Sequence, residues 1–189
     1  FFIEHTLETV KTLYNHPSII GWTIFNEGWG QFNSDKIYTL VKAADPSRFI
    51  DSTSGWFARR KSDVKSEHVY FHNRILKGNG KQVLFLSECG GYGRLVEGHV
   101  FTDKLYGYGK TATSATELTD KFKLLIDEMI IPSLKNGLCG FVYTQLSDIE
   151  DEINGLYTYD RQVLKVDGKR VKGLIDKVNE QFLSIYKNY

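Results

Sequence analysis

Two apolar runs in this chain end in a glutamate. The first, Ile19-Ile20-Gly21-Trp22-Thr23-Ile24-Phe25, passes directly into Asn26-Glu27-Gly28-Trp29-Gly30. The second, Val83-Leu84-Phe85-Leu86, passes into Ser87-Glu88-Cys89-Gly90-Gly91. Near-continuous apolar runs of this length fit strands buried on both faces, as in a parallel sheet covered by helices. In a barrel of such strands the chemistry sits at the C-terminal ends, which is where both carboxylates fall. Two carboxyl groups can divide acid/base work. One, kept protonated in an apolar setting, gives its proton to a leaving oxygen; the other, ionised, attacks or activates water. An Asn-Glu pair alone says little, and a Glu after a strand is most often a solvated loop residue. The signal is the combination: apolar strand, Asn-Glu, then Trp and Gly, with room for about two βα units before a second strand that also ends in Glu.

The elements that would position these groups are legible from periodicity. Helices are expected over 2–14, 34–44, 116–135 and 171–187, and strands over 19–25, 48–52, 67–71, 82–87 and 138–144. Asn33-Ser34-Asp35 reads as a cap for the second helix, and Asp45-Pro46 as its stop. Thr116-Glu117-Leu118-Thr119 opens a long helix that ends at Lys135-Asn136-Gly137. The alternation of helix and strand argues an α/β fold with a parallel sheet, doubly wound or a barrel. No Gly-x-Gly-x-x-Gly follows a strand. Gly90-Gly91-Tyr92-Gly93 has no helix close behind it, so a phosphate cradle and a nucleotide-binding reading are disfavoured.

Composition removes other classes. The chain has 189 residues, enough to bury about 70% of its unfolded surface. Lys plus Arg is 24 against 23 Asp plus Glu, a net charge of +1 that gives no reason to seek nucleic acid or an anionic membrane. Apolar residues at 41% and charged at 25% describe a folded domain, and no apolar run approaches the ~20 residues of a membrane span. Aromatic residues reach 14%, which suits a large core or a groove that stacks on rings. Two cysteines, Cys89 and Cys139, make neither a disulfide scaffold nor a four-cysteine zinc site.

Asn15-His16-Pro17-Ser18-Ile19-Ile20-Gly21-Trp22-Thr23-Ile24-Phe25-Asn26-Glu27 resembles the acid/base strand of glycoside hydrolase family 2, which includes β-galactosidases, β-glucuronidases and β-mannosidases. Leu86-Ser87-Glu88-Cys89-Gly90-Gly91 resembles that family's nucleophile strand. The stretch from Tyr143 to Leu156 resembles the eighth-strand region of its β-galactosidase-like members. The resemblance implies a partial (β/α)8 TIM barrel: parallel strands four to eight with flanking helices, residues 1–189 being one C-terminal piece of the catalytic domain. It implies a retaining β-glycosidase, β-galactoside favoured, with Glu27 as general acid/base and Glu88 as nucleophile, about 5–5.5 Å apart. It implies a contact of Asn26 with the sugar 2-hydroxyl, Tyr70 approaching the nucleophile and His68 lining the pocket. Trp29 and Trp56 are candidates for stacking on sugar, with Gln145 and Asp148 as further pocket candidates. Cys89 departs from the Phe or Tyr commoner after the nucleophile, and Phe71-His72-Asn73 from the Tyr-Pro-Gly of many members.

Several expectations accompany this reading. No cofactor is expected and no metal. His68 and His72 on one strand span too far for one ion, and the acidic run Asp148, Glu150, Asp151, Glu152 lacks the spacing of a calcium loop and reads as a solvated loop. Cys89 has no oriented His to activate it and is discounted as a nucleophile. His5, His16 and His99 read as surface or structural residues. A carboxylate-bearing sugar would want a cation, for which Arg59, Arg60, Lys61, Arg74 and Arg94 are available. The partners expected are a carbohydrate substrate and the rest of a longer parent chain: first barrel strands and β-sandwich domains. Open sheet edges suggest self-association of the isolated piece and weak activity. No leader segment is legible, and the cytoplasm is favoured as location. A non-catalytic carbohydrate-binding remnant of the same fold is the alternative; keeping both glutamates argues against it.

Overall fold

The computed structural model describes residues 1–58 and 61–187. The elements run α1 (Phe2–Leu13), β1 (Gly21–Asn26), α2 (Ser34–Ala44), β2 (Phe49–Ser54), β3 (Val64–Val69), β4 (Val83–Gly90), α3 (Ala115–Leu125), a π-helical turn (Ile126–Ile130), α4 (Ile131–Leu134), β5 (Leu138–Thr144) and α5 (Gly168–Tyr186). They form two compact units, Phe1–His68 with Gly78–Ser87, and Val69–Lys77 with Glu88–Tyr189. No helix among the described residues is long and apolar enough to cross a membrane.

In the first unit β1 and β2 pair in parallel, with Gly21 opposite Phe49 and Asn26 opposite Ser54. Gly21 has a steric reason: a Cβ there would lie 2.4 Å from the Phe49 ring. The core joins Val10 of α1, Phe25 of β1, Ile37 and Val41 of α2, and Ile50 of β2. These are the apolar positions that the 3.6-residue and continuous-run patterns select. The parallel pair under α1 and α2 agrees with the α/β expectation.

The stop of α2 does more than end a helix. Asp45 is fully buried and accepts from Trp22 Nε1 (2.8 Å), Ser47 N (3.1 Å) and Oγ (2.6 Å), and Arg48 Nη1 (2.7 Å). Arg48 in turn donates to the carbonyls of Tyr14, His16 and Ile19, tying the α1–β1 turn to the start of β2. Burial alone would raise the Asp45 carboxyl; the hydrogen bonds from Ser47, Trp22 and Arg48 outweigh it and hold the group well below the usual carboxylate range. A carboxyl depressed in the fold stabilises above its unfolded value and loses that contribution as pH falls. Asp45→Asn is therefore expected to cost about 1–3 kcal/mol near neutrality. The gap between wild type and variant should narrow below about pH 4. Urea midpoints of both proteins from pH 7 to pH 2 check this; a gap constant with pH would contradict it.

In the second unit the end of β4 lies beside β5: Cys89 Sγ donates to Val142 O (3.4 Å) and Gly91 N to Thr144 O (2.9 Å). The long helix expected over 116–135 is present in three pieces. Ser114, not Thr116, caps it, accepting from Glu117 N at 3.1 Å while Glu117 Oε2 accepts from Thr113 N and Oγ1. This is a capping arrangement one turn before the apolar pattern starts. Pro132 lacks the N–H of a regular helix and its ring crowds the preceding turn, which accounts for the widened turn at Ile126–Ile130 before α4. α4 ends at Leu134 with Lys135 as its C-cap, and Gly137, φ +95°, turns the chain behind it, its N–H donating to Leu134 O at 3.0 Å. Leu118, Phe122, Leu125, Ile126, Met129, Ile130, Leu134 and Leu138 are buried in this unit. Asp167 caps α5 through Lys169 N (3.0 Å) and Arg170 N (3.1 Å), so the helix begins at Gly168 rather than 171.

Two local expectations need correction. Asn33 stands at the N-cap of α2, but with φ 45° and no capping hydrogen bond from its side chain. Asp148 is not a solvated loop residue. It is buried, its Oδ1 accepting from Lys165 Nζ at 2.6 Å and from Gly155 N at 2.8 Å, and Lys165 Nζ also donates to Ile153 O at 2.8 Å. A buried carboxylate must be paired, and the sequence hides its partner in a stretch with no helical or strand pattern.

Candidate active site

Glu27 is the residue after β1. Its N–H donates to Ser54 O at 2.8 Å, prolonging the β1–β2 ladder by one bond, and its φ of 53° turns the chain out of the strand. Its carboxyl Oε1 lies 2.8 Å from Nδ1 of His68, a buried ring on β3. The other nitrogen of that ring, Nε2, lies 2.9 Å from Ser54 Oγ at the end of β2. Behind Ser54 stand further hydroxyls: Ser54 Oγ donates to Ser87 Oγ (2.8 Å), and Ser66 Oγ lies 2.9 Å from Ser87 Oγ. Gly55, φ +75°, brings the chain hard against the imidazole, since a Cβ there would lie 2.3 Å from the ring. Trp56 follows, half exposed, its Nε1 donating to His68 O at 3.3 Å and its ring 6.2 Å from the imidazole.

Glu88 lies near the end of β4. Tyr70 donates its hydroxyl to Glu88 Oε2 at 2.5 Å, and Thr144 Oγ1 at the end of β5 lies 3.1 Å from the same phenol oxygen. Burial first, and then the bond to Glu88, push the Tyr70 phenol far above its usual value, so it remains a donor. The Tyr70 ring stacks on Tyr108 with centroids 4.1 Å apart, which limits its rotation. Cys89, next to Glu88, is fully buried and its thiol is pushed up to about 12 by burial and by the neighbouring carboxylate. A thiol buried in this way carries little thiolate.

The remaining candidates fall as follows. Asn26 is exposed at the end of β1. Trp29 is 88% exposed and packs in no core, which removes its structural explanation. Gln145 Nε2 donates to Glu152 Oε2 (3.1 Å) and Asn154 Oδ1 (2.7 Å), so its amide braces the loop after β5. Among the cations, Arg94 donates to Lys165 O at 2.7 Å, Lys61 Nζ to Thr39 Oγ1, and Arg59 and Arg60 lie outside the described residues. His99 pairs with Asp160 at 2.7 Å. His72 is exposed.

Sequence reasoning missed Ser54, Ser66, Ser87 and Thr144. A signal existed: Ser54 closes a polar run, Asp51-Ser52-Thr53-Ser54, that is buried throughout, and buried hydroxyls require partners. Only the packing says which.

Residues 1–78 match a family model described as glycosyl hydrolases family 2, TIM barrel domain. Among curated proteins, a β-galactosidase of Leuconostoc mesenteroides subsp. mesenteroides is 42% identical over 62 residues, 33% of this chain and 6% of that protein. A β-galactosidase of Aeromonas hydrophila subsp. hydrophila is 39% identical over 64 residues, again 33% of this chain and 6% of the relative. The matched stretch thus spans a small fraction of these relatives' length. Residues 1–78, matched by the family model, hold α1, β1, α2, β2 and β3, and with them Glu27 and His68. Over residues 1–78 the chain is similar to the TIM barrel domain of glycosyl hydrolase family 2.

Proposed function

We propose that this chain is part of a retaining β-glycosidase, with β1 to β5 as strands four to eight of a (β/α)8 barrel in a longer protein. Glu27 is the general acid/base and Glu88 the nucleophile. The observation that carries the reading is that each carboxyl, at the C-terminal end of its strand, meets an aromatic ring's polar atom: His68 Nδ1 at Glu27 and the Tyr70 hydroxyl at Glu88. Glu27 protonates the departing glycosidic oxygen while Glu88 attacks the anomeric carbon. Water, deprotonated by Glu27, then releases the sugar with its original configuration. The Tyr70 hydroxyl holds Oε2 of Glu88 and so orients the carboxylate that attacks. Asn26 bonds the 2-hydroxyl, Trp29 and Trp56 offer faces to sugar rings, and Gln145 serves through the loop it braces. β-Galactosides are the favoured substrates because the two relatives are named β-galactosidases.

The test is covalent trapping. The full-length protein is incubated with 2-deoxy-2-fluoro β-galactosyl, glucosyl, mannosyl and glucuronyl fluorides, and the adduct is mapped by peptide mass spectrometry. We expect a stable label on the peptide bearing Glu88, fastest with the galactosyl reagent. A label on another carboxylate would reassign the nucleophile. No label from any reagent on folded protein would leave a carbohydrate-binding remnant as the better reading.

A further inference from the structure

The hydrogens of the His68 contacts can be placed by following the hydroxyls behind them. A carbonyl only accepts, so Ser87 Oγ, 3.3 Å from Glu67 O, donates there. Ser66 Oγ receives Gly55 N–H at 2.8 Å and has its own proton for Ser87. Ser87 therefore accepts at its remaining contacts, including the 2.8 Å bond from Ser54 Oγ. A serine hydroxyl carries one proton. Ser54 has placed it on Ser87, so toward His68 Nε2, 2.9 Å away, it can only accept. A ring turned over would set carbons against both Glu27 and Ser54, and the close approach at Gly55 leaves it little room.

We infer that the hydroxyl chain from Ser54 through Ser87 to the Glu67 carbonyl fixes hydrogen on His68 Nε2 and so lodges one further proton in the Glu27–His68 contact. A neutral imidazole has a single N–H. With it on Nε2, Nδ1 presents a lone pair, and its 2.8 Å approach to Glu27 Oε1 requires a hydrogen between them. That hydrogen belongs to Glu27 when the ring is neutral and to the ring when it is an imidazolium. The proton count of the pair is the same in both. Besides Glu27 at the end of β1, the buried carboxyl of Asp51 on β2 acts on His68, and burial pushes that carboxyl up, toward its neutral form.

This inference rests on the reading of Glu27 as acid/base and deepens it. Ser54, Ser87 and His68 become positioning residues that load the acid. In the first step the shared proton passes to the glycosidic oxygen as the bond from that oxygen to the anomeric carbon breaks, its electron pair staying on the oxygen. Glu27 is left as a carboxylate facing the Nδ1 lone pair, a repulsive contact that is relieved when the pair takes a proton from the attacking water in the second step. The proton count is restored over the cycle.

Neutron diffraction from crystals of the full-length protein grown in D2O tests the assignment. The expected map shows deuterium on His68 Nε2, the Ser54 deuteron aimed at Ser87, and a deuteron between Nδ1 and Oε1. A bare Nε2 with the Ser54 deuteron aimed at it would overturn the inference. Ser87→Ala frees Ser54 to reverse, and kcat for an alkyl glycoside should fall about tenfold, a modest share of what a general acid supplies, with KM little changed. A dinitrophenyl glycoside, whose leaving group needs no acid, should lose far less, and Ser87→Thr should restore the rate. Equal loss on both substrates would count against a loading role. If the protein hydrolyses no glycoside, the nuclear map still decides the hydrogen positions, so failure of the glycosidase reading and failure of this inference are separable.

Discussion

Replacing Glu88 by glutamine should lower kcat/KM of the full-length protein for aryl β-galactosides by at least about 10⁴-fold, as loss of a covalent nucleophile does elsewhere. That corresponds to about 5.5 kcal/mol of transition-state stabilisation. A carboxamide has nearly the shape of the carboxylate but cannot form the glycosyl ester. The Tyr70 hydroxyl, whose phenol stays protonated, would still find an oxygen acceptor, so the fold should survive. The chemical signature is sharper than the rate. In Glu88→Ala, azide can enter from the vacated side and give the α-glycosyl azide, with inverted configuration. A variant that keeps more than a tenth of the activity, or yields no inverted azide, would remove Glu88 from the nucleophile's role.

Loss of Glu27 should divide substrates by their leaving groups. A general acid supplies about 10²–10⁴-fold, so alkyl glycosides should slow by that factor in Glu27→Gln. A dinitrophenolate departs without a proton, so the first step should persist with such substrates. Release of the sugar, which needs Glu27 as base, then becomes limiting; kcat and KM fall together and a burst of phenol appears. Azide, needing no base, should rescue turnover and give the β-glycosyl azide, opposite in configuration to the product of the Glu88 variant. Glu27→Gly is the better host for this experiment than Glu27→Ala, because φ is 53° at this position and glycine adopts it without penalty. Equal losses across leaving groups would contradict the role.

What the sequence determined by itself is what short-range physics controls. β1 (Gly21–Asn26) and β4 (Val83–Gly90) fall on the two continuous apolar runs, though Ile20 and Val83 are exposed rather than buried, and α1 and α2 are helices because their apolar residues recur on one side. The placement of Glu27 and Glu88 at strand ends follows from those runs, and the similarity of the first stretch to a glycosidase barrel from the residues around Glu27. The errors at this level were of one turn or less, at Ser114 and Asp167, where a capping hydroxyl or carboxylate outranks the apolar pattern.

The partners of the site residues were decided by tertiary structure alone. Ser54 and Ser87 stand 33 positions apart on different strands, Glu27 and His68 stand 41 apart, and Tyr70 meets Thr144 across 74. Hydrogen bonds of this kind have no local periodicity. They exist because neighbouring strands bring their ends together and buried polar atoms must then satisfy one another. The same reason hid the Asp148–Lys165 pair inside an apparently solvated loop, and it made Asp45, legible only as a helix stop, the buried anchor of the first unit.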